Sequence, residues 1–417
     1  MVKVFNYATD NDLAVTKWIG TVPNCSACDS HEAITISSGR TIGPGYPCFV
    51  VAEIGQNHNG DVYTATRLLK AAHDAGVDAV KFCKRDIPSD LTEEAYNAPY
   101  AGPNAFGPTY GTHREALELS AAEYVHLNER MRYNEWQEVF FATACDQKSV
   151  DIIEETICPP LYKIASRDLD NLPLLRYVSR FKKPIILSTG MARNDAEIWA
   201  AIEIVRDAGC GVVLLVCTSE YPTPNNHVRL WRLEEYRRTF GVLVGLSDHT
   251  PGITAGIVGA ALGACIVEKH LTLSRSMKGT DHAASLEPDG MRRMVAKIRE
   301  VEEMMRRDDG GFVDVTPARE KLGRSLVSAR PITKGAVIGW PDLTLKSPGN
   351  GIAYANAALL LGKAARQDIP ADVTLSECDV ADYCDPRWKG YGNMTVAQME
   401  QIAEHEERIQ ASDRLLT

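Results

Sequence analysis

The feature that most limits the fold is an alternation between short β-branched or apolar runs and longer amphipathic stretches. Eight runs are candidate strands, at residues 48–54, 79–82, 139–143, 162–165, 184–188, 212–217, 242–246 and 265–269. Helical patterns lie between them, as at residues 65–75 and 196–208. This β-then-α order favours an α/β fold with a parallel sheet closed into a (β/α)8 TIM barrel. An open doubly wound sheet is the alternative, but no glycine-rich dinucleotide loop follows the first run.

The same patterning divides the chain into four parts. An N-terminal extension at residues 1–44 precedes the barrel, which is predicted at residues 45–307 and ends with a helix at 291–306. After a linker at 308–311, residues 312–380 predict a small β-rich module with short runs at 325–329, 336–338, 343–345 and 364–369. A tail at 381–417 follows, in which residues 394–417 predict one exposed helix.

Composition excludes several classes of protein. The 417 residues carry a formal net charge of −10 with a sequence pI near 5.6, which argues against nucleic acid or an anionic membrane as the main partner. No secretory signal or membrane-length apolar run is visible, so we expect a cytoplasmic protein. Eleven cysteines, mostly scattered, do not make a disulfide framework. Cys25 and Cys28 are spaced like half of a zinc site or a redox pair, but chance spacing is the favoured interpretation.

Two histidines stand at the ends of the last two predicted strands. His249 follows the run at 242–246, and His270 follows the run at 265–269. Adjacent strands of a parallel barrel would bring two neutral imidazoles together, and imidazole is a common ligand of divalent metals. Either histidine alone is more simply explained as a hydrogen-bonded residue at a strand end. As a pair, with Asp248, Glu268 and Asp281 nearby, they predict a metal site.

Polar side chains also end the other predicted strands. Lys81 ends the second run and Lys163 the fourth, while hydroxyl residues and a glycine turn end others. The carboxyl ends of barrel strands surround the active site, and ammonium and hydroxyl groups donate hydrogen bonds to phosphate oxygens. A strand-end lysine is often only a surface charge, yet its recurrence two strands later predicts a cradle for a small phosphorylated anion.

Several motifs in order resemble those of the sialic acid synthases. They are VAEIGQNHNGD at 51–61, TYGTH at 109–113, STGM at 188–191, CTSEYP at 217–222, SDH at 247–249, EKH at 268–270 and KGTDHAASLEP at 278–288. The resemblance runs from about residue 42 to 379, and the β-rich module is similar to the antifreeze-like (SAF) domain of that family. The motifs at 56–58, 109–113 and 321–325 resemble the eukaryotic branch, which uses a 6-phosphorylated amino sugar.

The resemblance implies a phosphoenolpyruvate-dependent sialic acid synthase. Such enzymes condense phosphoenolpyruvate with an N-acylhexosamine, here N-acetylmannosamine or its 6-phosphate, and release phosphate. His249 and His270 would hold a divalent metal, with Mn²⁺ expected and Mg²⁺ or Co²⁺ as alternatives, and would count as catalytic together with Glu53 and Asp168. The implied substrate-binding residues are Lys81, Thr143, Lys163, Ser166, Ser188, Ser219, Tyr221, Ser247 and Asp281.

Two departures from the family pattern concern the sugar acceptor. Cys83 replaces a glutamine after the second strand, and Ser347 stands where bacterial members carry an arginine in the SAF module. An alternative is therefore a related synthase that makes another nonulosonic or high-carbon sugar acid for a specialised metabolite. A catalytically silent protein that binds a sugar acid is a further alternative, of a different class. The resemblance also implies a domain-swapped homodimer, with each SAF module over the partner's barrel.

Overall fold

The protein divides into two compact units, Met1–Arg306 and Arg307–Thr417. The structure, a computed structural model, describes residues 32–306 and 312–384, with side chains described up to 381. The Cys25 and Cys28 pair, the linker at 308–311 and the tail helix at 394–417 lie outside the described residues. No helix in the described ranges is long and apolar enough to cross a membrane.

The first unit contains a closed barrel of eight parallel strands within the described residues. Its strands are β3 Phe49–Gly55, β4 Ala79–Lys84, β5 Val139–Ala144, β6 Tyr162–Ile164, β7 Ile185–Ser188, β8 Val212–Cys217, β9 Leu243–Asp248 and β10 Ile266–His270. Each strand pairs with the next along the chain, and β10 pairs with β3 to close the barrel. All eight predicted strands and the TIM barrel are confirmed, and the open doubly wound sheet is wrong because no strand of the barrel has a free edge.

Helices connect the strands and cover the outside of the barrel. They are α1 Val62–Ala75, α2 Ile87–Asp90, α3 Glu93–Asn97, α4 Tyr110–Glu115, α5 Ala121–Tyr133, α6 Gln147–Thr156, α7 Leu172–Ser179, α8 Asp195–Asp207, α9 Arg232–Phe240, α10 Thr254–Ala261 and α11 Pro288–Met305. Helix α1 begins where the Asp61 side chain accepts from the backbone N–H groups of Tyr63 and Thr64, and it ends at Gly76 with φ 74°. Four helices, α2 to α5, lie in the long connection between β4 and β5.

A hairpin closes the amino-terminal end of the barrel. Its strands β1 Ile34–Thr35 and β2 Thr41–Ile42 pair antiparallel, and they lie within the segment predicted as an N-terminal extension. Ile36 and Ile42 are buried in one apolar cluster with inward-pointing residues such as Phe141, near the amino-terminal ends of the barrel strands, here called the lower end of the barrel. Burial of this apolar surface ties the hairpin to the barrel.

One carboxylate organises the chain around this lower end. Asp78, just before β4, accepts hydrogen bonds from Arg40 of the hairpin turn at 2.7 Å and from Arg299 of α11 at 2.6 Å. It also accepts from the backbone N–H of Val50 in β3 at 2.8 Å. Asp78 therefore joins the hairpin, the first barrel strand and the last barrel helix.

The second unit has helix α12 Thr316–Leu322 and two small antiparallel sheets in its described part. One sheet pairs β11 Ser325–Ser328 with β12 Leu343–Lys346, and the other pairs β13 Lys363–Ala365 with β14 Val380–Cys384. The run at 336–338 pairs antiparallel with the segment at 363–365 through a bridge between Val337 and Ala364 and is not itself a named strand. Backbone hydrogen bonds such as Ile338 N–H to the Lys363 carbonyl oxygen at 3.0 Å hold it there, and Ile338 is buried in the core of this unit.

Candidate functional site

A cavity of about 250 Å³ lies among the carboxyl ends of the barrel strands. Of the thirteen residues predicted from the sequence to form the site, all but Asp168 line it. The twelve lining residues are Glu53, Lys81, Thr143, Lys163, Ser166, Ser188, Ser219, Tyr221, Ser247, His249, His270 and Asp281.

Strand register explains why residues so distant in sequence meet in one cavity. Glu53 of β3 is level with Lys81 of β4 on one side and with His270 of β10 on the other. Thr143 of β5 is level with Lys163 of β6. Because successive side chains of a strand point to opposite faces, strands in this register direct a ring of polar groups into the barrel.

Glu268 lies at the centre of a buried cluster of charges. Its carboxylate is 3.1 Å from the Lys163 ammonium and 3.6 Å from the Lys81 ammonium, and it accepts from the Ser247 hydroxyl at 3.2 Å. Lys81 also contacts the Glu53 carboxylate and donates to the Thr143 hydroxyl at 3.0 Å. Two lysines are thus held inside the barrel by two carboxylates, as the high cost of burying an isolated charge requires.

The charges in this cluster set one another's protonation. Burial lowers the pKa of Lys81 to about 8, an effect that Glu268 opposes and Lys163 reinforces. Burial alone would raise the pKa of Glu268, but the ammonium groups of Lys163 and Lys81 outweigh it and lower that pKa to about 2. Glu268 is therefore a carboxylate at neutral pH, and Lys81 gives up its proton more readily than an exposed lysine.

The two predicted metal ligands lie side by side, with His270 next to the charged cluster on the strand that also carries Glu268. The ring centroids of His249 and His270 are 5.5 Å apart, and the Tyr221 ring is 4.1 Å from that of His249. His249 Nδ1 lies 2.9 Å from the Thr218 carbonyl oxygen, which fixes the orientation of the imidazole. Burial lowers the pKa of His270 to about 3, so its ring is neutral. Within the described structure, the buried Nδ1 of His270 has no hydrogen-bond partner.

Close backbone approach shapes the cavity at two glycines. A Cβ on Gly190 would lie 2.5 Å from the Ser219 hydroxyl and 2.8 Å from that of Ser166, which already accepts from the Gly190 N–H at 3.0 Å. A Cβ on Gly55 would lie 3.2 Å from Glu53 Oε1 and 3.5 Å from His270 Cε1. Crowding by these groups excludes a larger residue at Gly190, whereas at Gly55 the left-handed backbone, with φ 53°, is what favours glycine.

A second buried ion pair supports the histidine-bearing strands from behind. Lys269 donates to the Asp248 carboxylate at 2.8 Å and to the Thr250 carbonyl oxygen at 2.5 Å. The side chains of Lys269 and Asp248 are both 0% exposed. This pair joins β10 to β9 and its following loop, which carry His270 and His249.

Asp168 lies outside the cavity. It ends a short 3-10 turn after β6, and its carboxylate accepts from Arg167 Nε at 3.2 Å. Burial raises the pKa of Asp168, and the charge of Arg167 opposes that shift. The turn directs the neighbouring Arg167 and Ser166 into the cavity instead, so the geometry gives no support to the predicted catalytic role of Asp168.

Three arginines that the sequence prediction missed also line the cavity. Arg85 pairs with Glu118 at 3.0 Å, Arg114 donates to Gln56 at 3.1 Å, and Arg167 contacts Asp90. Arg85 directly follows β4 and could have been found by the strand-end rule that identified Lys81. Arg114 could not, because it lies on a short helix within a long connection.

The two histidines stand without a third ligand. Within the described ranges, no group of three or more histidine, cysteine, aspartate or glutamate side chains is arranged to hold a metal ion. Two imidazoles can still bind a divalent ion if substrate or water completes its coordination, as in open catalytic sites. Burial lowers the pKa of His249, but contact with Cys217 raises it overall, so His249 must give up its proton when it binds an ion. The unpaired Nδ1 of His270 and the oriented ring of His249 fit such a two-histidine site.

The eight-stranded barrel and its polar cavity at the strand carboxyl ends define a barrel enzyme. Comparison with known sequences is more specific: the chain belongs to the NeuB family, whose profile matches residues 68–309. The SAF domain matches residues 323–381, which agrees with the small β sheets of the second unit.

Named relatives cover most of this chain and nearly all of their own length. The chain is 33% identical over 348 residues to N-acetylneuraminate-9-phosphate synthase of Homo sapiens, which covers 82% of this chain and 96% of the human protein. It is 35% identical over 338 residues to N,N′-diacetyllegionaminic acid synthase of Campylobacter jejuni, covering 79% and 98%. A crystal structure of N-acetylneuraminic acid synthetase from Leptospira borgpetersenii aligns with a TM-score of 0.60 at 28% identity, covering 69% of this chain and 95% of that one.

Proposed function

We propose that this protein condenses phosphoenolpyruvate with the aldehyde of an N-acylated amino sugar, N-acetylmannosamine or its 6-phosphate, and releases phosphate. The observation that carries the proposal is the convergence of Lys81 and Lys163 with His249 and His270 on one cavity. The two lysines suit a phosphorylated enol, and the two histidines, with a bound metal, suit an aldehyde. The names of the human and Campylobacter relatives, both sugar-acid synthases, support the same reaction class.

The charge of the cavity suits an anionic substrate although the whole chain is acidic. Five basic residues and three acidic ones line it: Lys81, Arg85, Arg114, Lys163 and Arg167 against Glu53, Glu268 and Asp281. This local excess of positive charge attracts anions into a protein whose net charge is −10. The lysines and the hydroxyls of Thr143 and Ser247 would hold the phosphate and carboxylate oxygens.

His249 and His270 would hold the divalent metal, with Mn²⁺ expected and Mg²⁺ or Co²⁺ as alternatives. When bound, the ion supplies Lewis-acid polarisation of the aldehyde oxygen. The chain itself provides orientation: the Thr218 carbonyl fixes His249, and the buried Lys269 to Asp248 pair fixes the strands that carry the ligands.

Carboxylates beside His270 would position the water that attacks C2 of the enol. Glu53 Oε1 and Asp281 Oδ2 both approach the space left open by Gly55, at 3.2 Å and 3.7 Å from where its Cβ would be. Glu53 Oε1 is buried without a hydrogen-bond partner in the described structure, so it can accept from a water molecule. Such a held water reacts in a fixed orientation.

The direct test measures phosphate release from phosphoenolpyruvate with Mn²⁺ across N-acetylmannosamine, its 6-phosphate and other aldoses. We expect release that depends on the acceptor and is abolished in His249→Ala. The matched control is His126→Ala, which removes an exposed histidine of α5 and should leave release unchanged. Mn²⁺ binding, followed by electron paramagnetic resonance, should weaken in His249→Ala alone.

Absence of release with every aldose, despite Mn²⁺ binding, would contradict the proposed synthase. That result would instead favour a catalytically silent protein that binds a sugar acid. Phosphoenolpyruvate binding without turnover in calorimetry would strengthen that alternative.

A related synthase for another nonulosonic or high-carbon sugar acid is favoured by one observation, the position of Cys83. This thiol lines the cavity where the sialic acid synthases carry a glutamine. A cysteine sulfur is a weak donor as a thiol and no donor as a thiolate, so it cannot replace the amide toward a sugar hydroxyl. We expect Cys83→Gln to shift the ratio of kcat/KM values between acceptors about tenfold toward N-acetylmannosamine. An unchanged ratio would contradict an acceptor contact at this position.

We also propose that the protein is a homodimer in which each SAF module covers the partner's barrel. Sedimentation velocity at micromolar concentration should give the mass of two chains. A monomer under these conditions would contradict the proposal.

A further inference from the structure

Two thiols touch each other at the edge of the cavity. Cys83 lies near the end of β4, and Cys145 directly follows the neighbouring strand β5. Their sulfur atoms are 3.7 Å apart. Cys83 lines the cavity, whereas Cys145 is buried behind it with 5% of its surface exposed. The two residues are distant in sequence and meet only because the barrel pairs their strands.

The surroundings make the two thiols unequal. A hydrogen bond from Cys145 lowers the pKa of Cys83 to about 6; burial opposes the shift, and the positive charge of Arg85 reinforces it. The pKa of Cys145 is raised well above its usual value by its contact with Cys83 and by burial. Arg85 is itself buried, and its Nε has no hydrogen-bond partner within the described structure. This arrangement gives one reactive thiolate next to one protonated thiol.

We propose that Cys83 and Cys145 form a thiol-modification site, at which a hydroperoxide oxidises the pair to a disulfide at the edge of the cavity. The Cys83 thiolate attacks one oxygen of hydrogen peroxide, breaks the O–O bond and becomes a sulfenic acid, while the other oxygen leaves as water after protonation. The Cys145 sulfur then attacks the Cys83 sulfur, and the sulfenic oxygen leaves as a second water. Two thiols lose two electrons and two protons, and one peroxide is reduced to two waters.

The sulfur atoms are close, but the bond needs a small movement. A disulfide has an S–S length of about 2.05 Å, so the two sulfur atoms must approach by about 1.7 Å. Because Cys145 lies two positions beyond Thr143, which is level with Cys83, the backbone after β5 must move together with the two side chains. The disulfide would remove the free Cys83 thiol from the cavity wall. This chemistry does not depend on the proposed synthase reaction, but its effect on turnover does.

The experiment treats the reduced full-length protein with hydrogen peroxide, blocks free thiols in acid and maps peptides by mass spectrometry. We expect a peptide pair linked through Cys83 and Cys145 that dithiothreitol separates. The exposed single thiol Cys378 is the internal control, and Cys83 should oxidise about tenfold faster at neutral pH because its lowered pKa makes it reactive.

Two variants separate the roles of the thiols. In Cys145→Ser, Cys83 should stop at the sulfenic acid, which dimedone labels; in Cys83→Ser, Cys145 should stay reduced. Oxidation of Cys83 no faster than that of Cys378, or a wild-type sulfenic acid that never forms the linked peptide, would overturn the proposal.

Oxidation should also raise KM for the sugar acceptor more than KM for phosphoenolpyruvate. A linked peptide without this change would contradict the proposed acceptor contact and leave the modification site standing.

Discussion

The two ends of the barrel are built from the same eight strands but have opposite chemistry. At the amino-terminal end, inward-pointing residues such as Phe141 and Leu215 pack with Ile42 of the hairpin in a closed apolar cluster. At the carboxyl-terminal end, here called the upper end, inward-pointing residues such as Lys81 and Glu268 carry charge. Along a single strand, inward-pointing positions only a few residues apart are therefore apolar near the amino-terminal end and polar near the carboxyl-terminal end, as is general in TIM barrels.

The two ends also differ in where their unpaired buried polar atoms lie: Glu138 Oε2 and the Ser179 hydroxyl at the lower end do not line the cavity, whereas several at the upper end do. Asp78 at the lower end accepts from Arg40, Val50 and Arg299 at normal distances. At the upper end, Glu53 Oε1 and the Ser188 hydroxyl are buried without hydrogen-bond partners in the described structure. Buried polar atoms are normally paired, so the unpaired ones at the upper end are groups that a substrate or an ion can satisfy. The lower end should thus govern stability and the upper end activity.

The strongest test of this division is His270→Ala at the upper end. If His270 holds the proposed metal, its loss should lower kcat/KM by at least about 10³-fold, since several kcal/mol of transition-state stabilisation would disappear. The free energy of unfolding should change by less than about 1 kcal/mol, because Nδ1 has no partner to lose. Phosphate release and urea denaturation measure the two quantities. A large loss of stability would break the division.

The reciprocal change at the lower end is Ile42→Ala. This buried side chain fills the apolar cluster, so its truncation should lower the free energy of unfolding by about 2–4 kcal/mol. Activity of the folded variant should stay within about twofold of wild type. Ile34→Ala, in the same hairpin but only half-buried, should cost less. Urea midpoints compare the two, and equal losses would show that the burial of Ile42 is not the cause.

A smaller effect should appear in the pH dependence of the upper end. Because the pKa of Lys81 is lowered to about 8, Lys81 is a cation below this pH and loses its charge above it. We expect kcat/KM for phosphoenolpyruvate to fall up to tenfold per pH unit above about 8, since this quantity reports the free enzyme. Lys81→Arg keeps its charge and should remove this fall from the profile, even if its overall rate is lower. Ile42→Ala should keep the wild-type pH profile of kcat/KM. A shifted pH profile in this variant would argue against independent roles of the two barrel ends.

The smallest effect should come from Asp168→Asn. Its carboxylate contacts Arg167 rather than the cavity, and an amide oxygen can still accept from Arg167 Nε. We expect kcat/KM to stay within about threefold of wild type. A fall of about 10²-fold or more would support the catalytic role predicted from the sequence over the position that the fold gives this residue.

Sequence alone predicted the barrel because each strand is a short run buried on both faces, which local patterning reveals. It also identified strand-end groups such as Lys81 and His270, since their position follows from the run before them. It did not identify Arg114, which reaches the cavity from helix α4 and pairs with Gln56 across 58 positions of sequence. It placed Asp168 in the site because Asp168 follows the fourth strand and stands where the sialic acid synthases commonly carry a glutamate, whereas in the fold Ser166 lines the cavity and Asp168 does not.

The buried amine of Lys269 offers a way to time the opening of the barrel. Because its side chain is 0% exposed and bound to Asp248, an acylating reagent cannot reach it while β9 and β10 stay paired. Its labelling rate would therefore report how often β9 and β10 separate by local unfolding. Acylation of Lys269 would thus measure the local stability of the part of the barrel that carries the two histidines.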